Sequence, residues 1–350
     1  MIKLTIALLS IALLAASCNV ASTKQVGIVK TANGGVDWQP ANKITGTDQT
    51  LLQTSISLMK FNPSGTRMYA SSYSGGLYYS EDAGENWNGY LPGIPVYDFV
   101  FNPNDENVIY ASVYLSGRGR LLASRDGGKS WNEIYSDVNS KNPVRAVAVN
   151  PNNTDEILIG LARGGLIKSE DNGQSWHLLQ NYNDRVNKIV WENNDLYVIV
   201  KGTGVFKSTD SGASFAQVTR NLKVPSTTNN NRSFSYLSTS INDYRQMAID
   251  PNNSDHLLVT TNRGLFESFD AAASWTYIDL PFRRQDTMPF AVAIADSSDM
   301  VMYVSIGSVI LKSIDGGSNW SSSDTKTNGL VSTLLISPDL PQLAFAGVSE

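Results

Sequence analysis

Ser80-Glu81-Asp82-Ala83-Gly84-Glu85-Asn86-Trp87 is one copy of a phrase, SxDxGx(S/T/N)W, that recurs along this 350-residue chain and decides its fold. Further copies run from Ser124 to Trp131, Ser169 to Trp176, Ser208 to Phe215, Ser268 to Trp275 and Ser313 to Trp320. A worn copy, Thr31 to Trp38 with Asn33 and Gly35, comes first. The Ser and Asp side chains can take the N–H groups of a tight turn, Gly supplies a positive φ four residues after the Ser, and Trp covers the turn. Asp82, Asp126, Asp171, Asp210, Asp270 and Asp315, with Trp87, Trp131, Trp176, Trp275 and Trp320, are therefore read as structural. Phe215 replaces Trp in one copy, and Ala271-Ala272 stand where another should have Gly; both turns are expected to be looser.

Counted from Trp38, the ends of successive copies are 49, 44, 45, 39, 60 and 45 residues apart. A period near 45 signifies a stacked array of small β units. Ahead of the octapeptides lies a second phrase, an apolar strand followed by an Asx-Pro or Ser-Pro turn: Asn62-Pro63, Asn102-Pro103, Asn150-Pro151, Asp250-Pro251 and Ser337-Pro338. Another apolar strand and then a Gly-Leu strand lead into the octapeptide, so each repeat carries four strands. The expected fold is all-β, a seven-bladed β-propeller with four-stranded antiparallel blades. The last repeat stops after two strands, and the first residues, Val26 to Trp38, supply a missing half; joining them closes the ring and removes its open edges. The long spacing marks an inserted loop at about residues 221–243, rich in Ser, Thr and Asn.

The octapeptide resembles the Asp-box, or bacterial neuraminidase repeat, which in its families sits on outer turns of propeller blades away from the ligand face. The resemblance covers nearly the whole chain after its first residues. It implies one of several functional classes: sialidases and xyloglucanase-like glycoside hydrolases, sortilin-like receptor propellers, or photosystem II stability and assembly factors, which bind protein partners without catalysis.

At the N-terminus, Lys3 precedes an apolar run from Leu4 to Ala16, too short to span a bilayer comfortably, and residues 1–17 read as a signal peptide. Leu14-Ala15-Ala16-Ser17-Cys18 resembles a bacterial lipobox, which implies lipidation of Cys18, the only cysteine. Residues 18–25 would then be a tether, and 26–350 a single propeller, exported and held to the cell envelope by its lipid. Eight extended residues reach at most roughly 29 Å. Without the leader, 26 Lys and Arg face 32 Asp and Glu, and an acidic chain of this kind is a poor nucleic-acid binder. His177 and His256 are the only histidines, without ligand spacing, so no metal or cofactor is expected. A monomer is expected.

If the Asx-Pro turns and octapeptides lie at the bottom of the ring, loops between second and third strands and between blades form the top, where function is sought. Five residues before the Asx of the turn stand Tyr97, Arg145 and Arg245 in blades two, three and five, with Arg185 as the gap-free match in blade four. Ser57, Ala291 and Ser332 occupy that place elsewhere. The loops between second and third strands add Arg118, Arg163, Lys201 and Arg263 on the same four blades, making one basic arc. Guanidinium forks suit a carboxylate or phosphate, so the arc is read as binding a protein partner or an anionic glycan or lipid head group. The alternative is local pairing with Asp98, Asp184 and Asp243. Tyr73, Tyr90, Tyr114, Tyr182, Tyr236 and Tyr277 fall in or near the top loops.

Sialidases need an arginine triad, an acid and a Tyr paired with a carboxylate. Arg145, Arg185 and Arg245 invite the comparison, but the seven repeats and the lack of a Phe-Arg-Ile-Pro motif depart from that family. A pair of carboxylates such as Asp98 and Asp243 across the mouth is what a hydrolase reading would require. No catalytic residue is assigned, and a non-enzymatic binding ring is the favoured reading.

Overall fold

The computed structural model describes residues 26–223, 241–281, 289–296 and 300–350. The expected leader, Cys18, the tether, Tyr236 and most of the expected insertion lie outside them. The described residues form seven four-stranded antiparallel sheets, the blades of a closed β-propeller. Six are continuous in sequence: Ile56–Tyr90, Val96–Ser136, Val144–Asn181, Val186–Gln217, Tyr244–Ile278 and Val292–Asp324. In the seventh, Leu330–Ile336 and Ala344–Ser349 are the inner strands and Gly27–Thr31 and Gln39–Pro40 the outer ones, with Gly27 opposite Val348 and Thr31 opposite Ala344.

Each octapeptide folds as its chemistry dictates. Ser80 Oγ donates to Asp82 Oδ1 (2.8 Å) and accepts Gly84 N–H (2.9 Å), while Asp82 Oδ1 accepts Asn86 N–H (2.8 Å). The worn copy makes the same turn with Thr31 and Asn33, which accept Gly35 N–H (2.9 Å) and Asp37 N–H (3.0 Å). Hydrogen bonds from the Ser130 side chain and backbone pull the Asp126 carboxyl down to about 2, and Ser175 does the same to Asp171. These carboxylates stay ionised acceptors across the physiological range.

The Ala271-Ala272 copy is not loosened. Ala272 N–H reaches Ser268 Oγ at 2.9 Å and Ser274 N–H reaches Asp270 Oδ1 at 2.7 Å, lengths matching the glycine copies. Ala271 and Ala272 instead accept φ of +51° and +73°, so the substitution appears as backbone strain of about 1–2 kcal/mol per residue rather than as a lost bond. The Phe215 copy likewise keeps its bonds, Gly212 N–H to Ser208 Oγ at 2.8 Å.

The core is divided among the junctions between blades. Seven apolar clusters occupy the seven junctions, such as Tyr69, Leu77, Phe99, Ile109 and Val113 between blades one and two. Burying each large side chain contributes roughly 1.5–3 kcal/mol. A polar latch recurs outside these clusters. Lys30, Lys168, Lys207 and Lys312, each one residue before an octapeptide, donate to the carbonyls of Ala83, Ser211, Ala271 and Gly34, the fourth residue of the next blade's octapeptide.

Candidate functional site

The innermost strands line the central channel, and near the top end most of them carry a β-bulge. Register shifts leave Ser57, Tyr97, Arg145, Asn187 and Ser332 unpaired, and Arg245 with Gln246 in blade five. A bulge re-aims side chains locally. At four blades the bulge residue ties the ring together by donating to a carbonyl at the start of the next inner strand. Ser57 reaches Val96 O (3.1 Å), Asn187 reaches Tyr244 O (2.7 Å), Arg245 reaches Pro289 O (3.0 Å) and Ser332 reaches Ile56 O (2.5 Å).

Tyr97 and Arg145 make no such bond. Arg145 lies over the Tyr97 ring at 4.3 Å and over Tyr73 at 5.6 Å, with the two tyrosine centroids 5.4 Å apart. Tyr73, from the top loop of blade one, is 39 % exposed. The pKa of Arg185 is lowered first by burial and then by Arg145, which places the two guanidinium charges within reach of each other. Its Nε donates to Asn187 Oδ1 (2.7 Å), and neither Arg145 nor Arg185 has a carboxylate within ion-pair distance among the described residues. Tyr73, Tyr97, Arg145 and Arg185 thus form a ledge across the tops of blades one to four, in which Arg145 rests on two tyrosine faces and Arg185 stands beside it, with Asp243 and Asp184 acting on Arg185 from beyond ion-pair distance.

The rest of the expected arc is dispersed or committed. Arg245 is paired with Asp243 (2.9 Å) and lies 5.2 Å over Phe290. Arg118 donates to Asp137 O (3.3 Å), and its neighbour Arg120 pairs with Glu133. Arg163 is exposed, Lys201 half-buried, and Arg263 half-buried with its backbone N–H on Thr261 Oγ1. The register also corrects two alignments. Glu192 and Ala295 take the place of the turn Asx in blades four and six, so Asn187, not Arg185, is the bulge residue in blade four. By the same count Phe290, not Ala291, stands at the equivalent position in blade six, since Ala291 N–H donates to Ser305 Oγ as Asp98 N–H does to Ser112 Oγ. Arg185 joins the ledge from two residues earlier. Of the other tyrosines, Tyr90 stacks on Tyr79 (4.7 Å) and Tyr182 is buried against Phe206.

Below the ledge, Asp98 follows the blade-two bulge and is buried. Its carboxylate accepts Phe99 N–H (2.9 Å) and Val147 N–H (3.2 Å). Lys188 Nζ of blade four reaches it at 3.3 Å, past blade three, and Lys60 Nζ of blade one approaches to 3.5 Å while donating to Phe99 O (2.6 Å). Burial, then Lys188, lowers the Lys60 ammonium to about 8 against the opposing pull of Asp98. Burial alone would raise the Asp98 carboxyl, but Lys188 and Lys60 outweigh it and the net shift is downward. Sequence reading missed both lysines, whose contacts to Asp98 span distant blades.

A second buried charge cluster sits at the bottom of blade five. His256 Nδ1 meets Asp250 Oδ2 and Nε2 meets Glu267 Oε1, both at 2.9 Å, with the ring stacked on Phe269. Both ring nitrogens face carboxylates, which requires the doubly protonated imidazolium. Burial lowers its pKa, but the bonds to Glu267 and Asp250 prevail and the net shift is upward from 6.5. The stability this contributes is present below the unfolded value of 6.5 and is lost as pH rises through the higher folded value. Urea midpoints from about pH 6 to about pH 9 should fall more in the native chain than in His256→Gln; parallel curves would contradict the imidazolium assignment.

No family model matches this sequence, and no curated protein matches it. Solved structures match the fold. The GH74 xyloglucanase from Xanthomonas campestris has a TM-score of 0.66 at 17 % identity, covering 85 % of this chain and 51 % of that one, so this chain spans about half the xyloglucanase's length. YCF48 bound to D1 peptide has a TM-score of 0.60 at 16 % identity, covering 85 % and 93 %, and YCF48 from Cyanidioschyzon merolae has 0.62 at 13 %, covering 85 % and 96 %. At these identities the likeness establishes the propeller fold alone.

Proposed function

We propose that this propeller is a non-catalytic binding ring whose top ledge recognises an anionic group on a protein partner. The observation that carries the reading is the behaviour of one structural position. Where other blades spend the bulge residue on an inter-blade bond, blades two and three place there Tyr97 and Arg145, which bind each other and leave a guanidinium without a carboxylate. Arg185 adds a second cation beside it. An aromatic floor under the Arg145 guanidinium, with Arg185 beside it, favours a carboxylate or phosphate presented by a polypeptide, since the exposed Tyr73 ring supplies apolar contact next to the charge. A single ring of YCF48-like proportions, one of which is bound to D1 peptide, accords with such a partner. Export, and a lipid on Cys18 holding the ring at the envelope membrane, belong to the same proposal; an anionic lipid head group is the competing ligand.

The xyloglucanase likeness keeps a glycan-hydrolysing or glycan-binding ring as the alternative. It would need a carboxylate pair other than Asp98 and Asp243, because those two are held by Lys188, Lys60 and Arg245. Release of reducing sugar from soluble β-glucans or sialosides would decide for it.

Cross-linking and capture from native membranes tests the main reading. Relative to the native chain, Arg145→Glu with Arg185→Glu should lose about tenfold or more of the captured partner while melting at an unchanged temperature. Undiminished capture by a folded double variant would overturn the ledge.

A further inference from the structure

We infer that the central channel binds a small monovalent anion of halide size between Lys60 and Lys188. Two ammonium groups converge there on one carboxylate. Their nitrogens lie 3.5 and 3.3 Å from the same oxygen, Asp98 Oδ1, close enough for a single ion to touch both. The described residues bring no other carboxylate within ion-pair distance of either lysine, so the cluster carries one positive charge in excess.

Donor counting points the same way. An ammonium has three N–H bonds. Lys60 spends one on Phe99 O and turns another toward Asp98, and Lys188 bonds only to the Asp98 oxygens at 3.3 and 3.4 Å. The remaining N–H groups of both lysines have no acceptor among the described residues. Asp98 has about four lone pairs to offer, and Phe99 N–H, Val147 N–H and the two lysines already share them.

An uncompensated ammonium in a protein interior is unfavourable, and it is relieved by losing a proton or by gaining an anion. Access distinguishes this site from a sealed ion pair. The lysine side chains retain 28 % and 23 % of their exposure while Asp98 retains 3 %, so the lysines, unlike the carboxylate, keep contact with solvent. A single charge suits the single excess charge; a multiply charged anion would over-compensate it beside the Asp98 carboxylate. The site is separate from the ledge residues.

The mature chain crystallised or soaked in sodium bromide should show an anomalous bromide peak bridging the two ammonium nitrogens. In solution, replacing methanesulfonate by bromide at equal ionic strength should raise the melting temperature by roughly 2–4 °C if the site saturates. Lys188→Met and, separately, Lys60→Met each leave one lysine on one carboxylate and should abolish the bromide-specific rise, whereas Arg145→Met should retain it. The two lysine variants guard against one of them failing to fold. A channel without bromide density, or a bromide response that persists in a folded Lys188→Met or Lys60→Met chain, would overturn the inference.

Discussion

Asp98→Asn should destabilise the propeller by roughly 3 kcal/mol at pH 7, the lower end of the range for leaving buried charges unpaired, since the two lysines keep partial contact with water. The substitution removes the carboxylate that Lys60 and Lys188 share, the only one near them among the described residues, and with it a tie joining the inner strands of blades one, two and four. Urea unfolding measures the loss, and its pH dependence identifies the cause. Lys60 already titrates at about 8 in the folded chain against 10.5 for a free lysine. A lysine whose folded pKa is depressed holds fewer protons folded than unfolded between those values, so stability rises with pH through that window. Without Asp98 the depression deepens, and the deficit of the variant should shrink as pH rises toward about 10. Adding Lys60→Met and Lys188→Met to Asp98→Asn should restore most of the stability at pH 7, because an apolar replacement of a buried ionic group is often neutral. A deficit independent of pH and not relieved by the methionines would mean that Asp98 acts through its backbone bonds to Phe99 and Val147 instead.

The fold was legible because its determinants are local. Within eight residues, Ser80, Asp82 and Gly84 satisfy one another's hydrogen bonds, and the same turn forms with Thr31 and Asn33, so counting turns counts blades. Closure by both ends of the chain followed from two half repeats that only one partner could complete. The lysine latch was not read from the sequence: a Lys immediately before Ser or Thr in four copies acquires its meaning only from the next blade's carbonyl.

The site was legible only in part. Tyr97 and Arg145 stood out because they differ from Ser57 and Ser332 at an otherwise serviceable position, and they do meet. Arg185 was reached by a count that slipped two residues, since blade four replaces the long Asn-Pro turn with a tight hairpin in which Glu192 opposes Asp195. Arg245 looked equivalent to Arg145, yet Asp243, two residues earlier, neutralises it. Whether an arginine is free or paired depends on rotamer and neighbour, which spacing does not encode. Nor does spacing reveal Lys188 meeting Asp98, because a ring brings together residues of blades two apart.

Among the octapeptide tryptophans, Trp87→Ala should be the most damaging, costing about 3–5 kcal/mol in urea unfolding, with Trp320→Ala costing well under half of that. The motif makes the two look alike; their surroundings differ. Trp320 is half-buried and its Nε1 donates to Gly317 O inside its own turn (3.0 Å). Trp87 is fully buried among Ile28, Ala41, Leu51, Met59, Met68 and Phe345, and its Nε1 donates to Ala41 O (2.8 Å). Its backbone also pairs with Lys43 and Thr45, so the turn of blade one clasps the segment leaving the outer strand of blade seven. That segment belongs to the composite blade, where Gly27–Thr31 must stay zipped to Ala344–Ser349 for the ring to remain closed. Truncating Trp87 removes a large apolar volume that packs on both halves of the composite blade, Ile28 and Phe345, whose strands pair where the ring closes without chain continuity, together with the hydrogen bond to Ala41 O. Hydrogen exchange should therefore quicken in Gly27–Thr31 more than in the inner strands of blades three and four. Equal protection loss in all blades, or equal cost for Trp87→Ala and Trp320→Ala, would show that closure does not depend on this clasp.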